Sequence, residues 1–311
     1  MARVLVTGGG GFLGGAIVAA LAARGDTVIA LDLAFGAQPP AANVIRVVGN
    51  VIEWPQLARA IADHRPDKVV HCAAIVGVLP SVEAPIATMR VNVEGSLNLF
   101  EAMRLFGIRR VVHISSDEVY GAFGAPVIDE EHPCRPLLAY GVSKHTVEQL
   151  GRSYGALYGL ECINVRTCWV YGPGLPRARV PKTLVDAALA GRPLHLPTGA
   201  DFRVDQVYVA DTVQGVLLAL DHPAHPFDAY NIATGQAPSL SEIVAIIKDL
   251  VPGADLSVGA DPFRYNDHLA PVAKGALDIR RARKHLGYAP RYDIRQGLAA
   301  YIAAARAPIP S

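Results

Sequence analysis

Tyr140 and Lys144 stand four residues apart in the run Tyr140-Gly141-Val142-Ser143-Lys144. If residues 140–158 form a helix, the two side chains share one face, a turn apart. A phenol with an ammonium beside it is suited to general-base work, because the positive charge favours the phenolate. Free tyrosine titrates near ~10, so operation near neutrality needs about 3 units, or roughly 4 kcal/mol of differential stabilisation. The spacing alone is as common as any surface pair. Its weight comes from what lies upstream: an apolar, β-rich run from Arg110 to Ile114 ends in Ser115-Ser116-Asp117-Glu118-Val119-Tyr120-Gly121. Two hydroxyls and two carboxylates at one strand end can do proton chemistry or, more plainly, cap a turn.

Such residues need a scaffold, and the opening of the chain describes one. Arg3 to Thr7 is a short apolar run, glycines follow at once, and Gly11 to Arg24 reads as a helix rich in Ala, Leu and Ile. The glycines Gly8, Gly11 and Gly14 therefore sit in a strand-to-helix turn, the context in which this spacing is informative. The first allows the tight turn, the second lets backbone approach a pyrophosphate, and the third lets helix pack on sheet. Amide groups at the helix start, with Phe12 and Leu13 in its first turn, are placed to hold phosphate. A second strand, Thr27 to Leu31, ends at Asp32, whose carboxylate suits a ribose 2′-hydroxyl and repels a 2′-phosphate, which favours NAD over NADP. The cationic ring of a bound nicotinamide adds to Lys144 in favouring a Tyr140 phenolate.

Further strands are expected at Val44–Val48, Lys68–His71 and Glu161–Arg166 and a helix at Asn92–Phe106. Asn50 and Val51 close the third strand, with Asn50 placed for an adenine amino group. Cys72, Ala73 and Ala74 are small enough for a cofactor to lie close. Alternating strands and helices imply an α/β fold: a doubly wound parallel sheet of the Rossmann type, with ligands at the carboxyl ends of its strands. We assign residues 1–170 to the NAD-binding domain and 171–311 mainly to a smaller substrate-binding lobe, some of whose segments return to the first domain. Helices are expected at Val209–Leu220, Ser239–Val251, Asp278–Leu286 and Asp293–Ala305, and a strand at Ala229–Ile232.

Composition narrows the partners. With 29 basic and 28 acidic residues among 311, the net charge is +1, which argues against nucleic acid or an anionic membrane as the main partner. No apolar run approaches the ~18 residues that span a bilayer. Cys72, Cys134, Cys162 and Cys168 lack metal-ligand spacing and read as reduced thiols of a cytoplasmic protein, with no metal expected.

Taken together, these stretches resemble the extended short-chain dehydrogenase/reductases, the NAD-dependent epimerase/dehydratase family of nucleotide-sugar enzymes. The matching residues are Thr7 to Gly14, Asp32, His71 to Ala74, Asn92 to Gly95, Ser115 to Gly121, Tyr140 to Lys144 and Tyr171 to Pro173. The resemblance implies that Ser116 hydrogen-bonds the substrate oxygen, that Tyr140 is the base, and that Lys144 and Asn92 belong to the NAD site. It implies a homodimer through the helices of residues 92–106 and 140–158; Leu150, Tyr154 and Leu157 are suited either to apolar contacts there or to packing in the core. A nucleotide-sugar epimerase, most naturally acting at C4 through a transient ketone, is the expected activity. Ser-Asp-Glu-Val-Tyr-Gly is also similar to sugar-nucleotide 4,6-dehydratases, in which Asp117 and Glu118 would be the additional acid and base. Those enzymes carry Asp-Arg-Ser where this chain has Leu79-Pro80-Ser81.

Candidate substrate contacts are Ser81, Trp169 (where the family has an asparagine, its ring suited equally to stacking on a sugar or base and to core packing), Arg177, Arg203 and Arg264. Arg203 falls one residue before the family's diphosphate-binding arginine position, which Val204 fills; a slip of one residue on a strand would turn the side chain to the other face. Trp169 and Val204 keep open a dehydrogenase acting on a sugar, sugar acid or other secondary alcohol without a nucleotide; a non-catalytic NAD sensor is a rival of another class, against which the joint presence of Ser116, Tyr140 and Lys144 speaks.

Overall fold

The computed structural model describes residues 1–307. Seven strands form its main sheet: β1 (Arg3–Thr7), β2 (Thr27–Asp32), β3 (Val44–Val48), β4 (Lys68–His71), β5 (Arg110–Ser116), β6 (Glu161–Thr167) and β7 (Ala229–Ile232). Their order is β3-β2-β1-β4-β5-β6-β7, and every neighbouring pair is parallel. Near-continuous Val, Ile and Leu in the central strands suit a sheet covered on both faces. On one face Leu57, Ile61, Leu99, Phe100 and Met103 pack on Leu5, Ile29 and Val69. They come from helices α2 (Trp54–His64) and α3 (Gly95–Phe106). The other face is covered by Ile17 and Leu21 of α1 (Phe12–Ala23) and by Val213 and Val216 of a later helix, Val209–Asp221.

The strand order reverses between β1 and β4, so the loops after these strands diverge and leave a crevice at their carboxyl ends. β5 delivers Ser116 to that same edge. Helix α4 (Ala139–Tyr158) runs beside it and carries Tyr140 in its first turn. The expected strands and helices fall where the pattern placed them, with one informative difference. The helix expected from Asn92 begins as a π-helical turn, Arg90–Glu94, before α3 proper. Such turns displace a side chain from the regular ladder and are frequent at functional sites; here that turn holds Asn92.

The second half builds small parallel pairs: Gln206–Tyr208 on Trp169–Tyr171, Leu256–Asp261 on Leu194–Thr198, and Ala276–Leu277 on Val127–Ile128. The last pair joins a late segment to one from the first half. β7 lies at the edge of the main sheet, and one apolar cluster runs from Val4 and Val112 through Trp169 and Val207 to Leu256. Capping boxes start two late helices: Ser239 with Glu242, and Asp293 with Gln296. No helix among the described residues is long and apolar enough to cross a membrane.

Candidate active site

Gly8 takes φ +70°, and its amide donates to the Leu31 carbonyl at 2.8 Å. A Cβ on Gly8 would come within 2.7 Å of the Ala73 amide nitrogen, and one on Gly14 within 2.0 Å of the Gly8 carbonyl oxygen. Only hydrogen fits at either position, so loop, helix and the Cys72–Ala74 segment close into a shallow cradle. Asp32 faces the same loop: Oδ2 accepts from the Gly10 amide at 2.9 Å and Oδ1 from the Leu33 amide at 2.7 Å. Each oxygen keeps a lone pair for a further donor. This cradle, an acidic strand end and an open helix N-terminus fit a dinucleotide. Asn50 and Val51 close the far wall, where Oδ1 of Asn50 accepts from the Ile52 amide at 3.2 Å and Val51 is buried.

Ser116 is extended (φ −154°) and caps the short turn Asp117–Val119 by accepting from the Glu118 amide at 3.2 Å. Its own proton goes to Asp117 Oδ1 at 3.2 Å, and its hydroxyl stands near enough to the Tyr140 phenol to favour the ionised form. α4 can approach this turn because Gly141 has no side chain: a Cβ there would lie 2.5 Å from the Glu118 carbonyl oxygen. Tyr140 and Lys144 are both buried. The Lys144 ammonium donates to the Ile114 carbonyl of β5 at 2.7 Å and stands 6.0 Å from the centre of the Tyr140 ring.

The protein's own groups do not depress the phenol. Burial pushes Tyr140 up to about 12, with Asp117 adding to the rise, while Ser116, Arg177 and Arg179 pull the other way. Burial also pushes Lys144 down to about 8, against smaller opposing effects of Cys72 and Glu148. Of the two cations expected to favour the phenolate, Lys144 does not offset burial: desolvation outweighs a charge 6.0 Å from the ring centre that is already hydrogen-bonded elsewhere.

The remaining candidates divide sharply. Asn92 spends its amide inside the protein: Oδ1 accepts from the Ile75 amide at 2.8 Å, and Nδ2 donates to the Ile75 carbonyl and to Ser143 Oγ at 2.9 Å. Ser143 in turn donates to the Tyr140 carbonyl, so Asn92 orients the crevice wall and the start of α4. Ser81 is fully buried and donates to the Val78 carbonyl of its own helix at 2.7 Å, which removes it from the substrate contacts. Trp169 packs at a tilt against Phe202 and edge-on against Phe263, and Arg179 covers its face with the guanidinium 4.1 Å from the ring centre. That face is already occupied and cannot stack on a sugar. Arg203 is turned outward and grips Glu242 at 3.1 Å, while its neighbour Val204 is buried. The one-residue slip therefore has the consequence that strand geometry dictates, and Arg203 is no substrate contact. Arg264 lies exposed on its turn, donating to the Leu269 carbonyl at 2.7 Å.

Arg177 and Arg179 do converge on the crevice: both act on the Tyr140 phenol, and Arg177 donates to the Val76 carbonyl. Neither pairs with a carboxylate among the described residues. Two further residues reach the site without any signal in the sequence. Lys274, whose side chain is 1% exposed, sits 3.4 Å from Asp117 and 3.3 Å from Glu118. Tyr265 donates to Glu118 at 2.6 Å. A lysine in Val-Ala-Lys-Gly-Ala reads as an ordinary solvated charge until tertiary structure buries it.

Comparison with known proteins agrees with this geometry. The chain matches the NAD dependent epimerase/dehydratase family over residues 4–233 and belongs to that family of enzymes. It is 33% identical over 308 residues to a UDP-glucose 4-epimerase of Mycolicibacterium smegmatis, covering 96% of each chain. Its fold is similar to that of a Thermotoga maritima UDP-glucose 4-epimerase solved with UDP-glucose, with TM-score 0.89, 28% identity and 98% of each chain covered. It is similar also to a Thermus thermophilus UDP-glucose 4-epimerase in complex with NAD, with TM-score 0.86, 31% identity and coverage of 99% of this chain and all of that one.

Proposed function

We propose that this chain is an NAD-dependent epimerase that inverts C4 of a nucleotide sugar through a transient 4-keto sugar. The observation that carries the reading is the convergence of Ser116, Tyr140 and Lys144 at the crevice edge of β5, with Ser116 acting on the phenol and Lys144 bonded to the Ile114 carbonyl. Gly8, Gly11, Phe12, Leu13 and Gly14 would hold the pyrophosphate of NAD and Asp32 its ribose, with Asn50, Val51 and Cys72 to Ala74 as walls. When bound, NAD supplies a hydride acceptor and a cationic ring that favours the phenolate. Bringing the phenol from about 12 to neutrality takes about 7 kcal/mol, which no residue of the chain provides alone.

Tyr140 takes the proton of the C4 hydroxyl as that carbon is oxidised and gives it back after the keto sugar has presented its other face. Ser116, beside the phenol, orients the same oxygen and relays the proton. Lys144 orients the coenzyme ribose while tying α4 to β5. Arg177 and Arg179, lacking acidic partners among the described residues, are suited to the negative charge of the substrate.

The assembly we propose is a homodimer. Leu97, Leu105 and Phe106 on α3 and Leu157 and Tyr158 on α4 are exposed large apolar side chains on adjacent helices. Leu150 and Tyr154 pack instead against the core beneath them. A screen of UDP-, dTDP-, GDP- and CDP-hexoses with product NMR tests the activity. Tyr140→Phe should remove C4 inversion at least about a thousandfold while NAD stays bound; inversion at near wild-type rate in that variant refutes the assignment.

A further inference from the structure

The acid pair after Ser116 is the feature that the epimerase reading leaves without a task, and its surroundings are unusual. Lys274 lies between the strands Leu256–Asp261 and Ala276–Leu277 and points inward beneath the catalytic turn. Its Nζ is 3.4 Å from Asp117 Oδ2 and 3.3 Å from Glu118 Oε1, and it donates to the carbonyls of Gly121 at 3.2 Å and Asp117 at 3.4 Å. The Phe123 ring closes the lower side, 5.0 Å from the ammonium. Tyr265, nine residues earlier on the same segment, donates its hydroxyl to Glu118 Oε1. Asp117 Oδ2 has no hydrogen-bond donor of its own. One buried cation therefore faces two carboxylates, of which Asp117 is buried and Glu118 partly so.

An ammonium in such a place is costly unless it is matched. Burial pushes Lys274 down, but Asp117 and Glu118 outweigh it and the net shift is upward. Putting a proton on either carboxylate would remove part of the matching charge. A general acid must carry a proton, and a general base must have its lone pair free. Asp117 is held as an ion-pair partner, and Glu118 Oε1 is taken by a phenol and an ammonium at once.

We propose that Lys274, assisted by Tyr265, decides the outcome of the reaction: it holds Asp117 and Glu118 as an occupied anionic pair and so prevents a 4-keto sugar from losing water across C5 and C6. The suppressed step balances by itself. The C5–H bond and the C6–O bond break, the C5=C6 bond forms, and the C5 proton and the hydroxide depart as one water. It needs a base at C5 and a protonated acid at O6; the Lys274 charge withholds the second and, with Tyr265, occupies the Glu118 oxygen that could serve as the first. The inference rests on the reading of this crevice as a site of C4 oxidation. Lys274 is a positioning residue, since it touches the acid pair and not the reacting carbons.

The test is turnover of UDP-glucose in D₂O, with product NMR and mass, for wild type, Lys274→Met, Lys274→Gln and Lys274→Arg. Wild type should invert C4 with no deuterium at C5 and no lighter product. The Met and Gln variants should raise C5 deuteration about tenfold or more and yield sugar lighter by one water, whereas Arg should restore the wild-type pattern. Deuterium at C5 in wild type overturns the proposal without any variant. So does a folded, NAD-binding Met or Gln variant that inverts C4 and leaves C5 untouched. If wild type inverts no sugar nucleotide, the epimerase reading fails on its own. The pairing is then read from stability: Lys274→Met should lower Tm, and Lys274→Met combined with Asp117→Asn and Glu118→Gln should recover most of the loss, whereas no recovery sinks the idea.

Discussion

Glu148→Gln is the substitution from which the packing of α4 can be judged. Glu148 is wholly buried on α4, one turn beyond Lys144. Its Oε1 accepts from Ser115 Oγ at 2.6 Å and from Arg166 Nε at 3.0 Å, and its Oε2 accepts from the other arm of Arg166 at 2.7 Å. Arg166 is itself buried, with Tyr120 Oη at 3.1 Å and the Glu130 carbonyl at 3.2 Å as further contacts. A glutamine keeps the shape but turns an NH₂ toward a guanidinium and leaves that guanidinium without its counter-charge. Removing one partner of a buried pair costs about 3–5 kcal/mol, which for a chain of this size lowers Tm by about 6–15 °C. Scanning calorimetry of the purified variant reads this directly. Replacing both partners together, Glu148→Leu with Arg166→Met, should recover most of the loss, because no charge is then stranded. Glu148 also supports the charge of Lys144, so the Gln variant should lose activity at lower pH on the alkaline side than wild type. A Tm within about 2 °C of wild type for Glu148→Gln would refute the argument that this pair locks α4 onto the sheet.

Gly14→Ala puts a Cβ 2.0 Å from the Gly8 carbonyl oxygen, against 3.4 Å or more in ordinary contact, so the cradle must open. NAD affinity should fall about tenfold or more by fluorescence titration, and an unchanged Kd would contradict the cradle. Lys144, pushed by burial from 10.5 down to about 8, sheds its proton before the unfolded chain does, so its part in stability is lost as pH falls through 8 and regained toward 10.5. Between pH 7 and 10.5 the urea stability of wild type should therefore gain about 3 kcal/mol over that of Lys144→Met, and a flat difference would contradict burial as the cause. Arg203→Ala, which removes only an exposed pair with Glu242, should leave kcat and KM within about twofold. Arg177→Met should raise KM about tenfold at similar Tm, and equal effects of the two would reverse their placing.

The strands of the main sheet and the glycine cradle were legible because their signals are local. β1, β3, β4 and β7 occupy the residues that apolar runs marked, and Gly8, Gly11 and Gly14 derive their meaning from neighbours only a few positions away. Tyr140 and Lys144 were legible for the same reason, since helix geometry fixes their relation. Ser81 misled because it was read through a position in a motif, whereas what decides a side chain's role is what occupies the space it points into; the core place of Trp169 and the outward turn of Arg203 were alternatives that the sequence itself offered. Ser81 points at Val78 in its own helix, Trp169 is covered by Arg179, and Arg203 is on the outward side of its segment. Lys274 and Gly141 carried no signal at all. One depends on a contact spanning 157 residues, the other on the Glu118 backbone of a distant turn.

These misses share a cause that also explains the chemistry. Burial acts in opposite directions on the two central groups, raising the phenol of Tyr140 to about 12 and lowering Lys144 to about 8. Left to itself the site therefore holds its proton on tyrosine, and lysine is only modestly committed to its charge. Nothing within a single motif can change that balance; what weighs on it comes from separate segments, namely Ser116 from β5, and Arg177 and Arg179 from the loop after Trp169–Tyr171. A base assembled from several segments becomes active only when they and the coenzyme are in place together. That arrangement suits a reaction whose ketone intermediate must not be released, because a phenol that stayed ionised in the open crevice would have no means of distinguishing substrate from water.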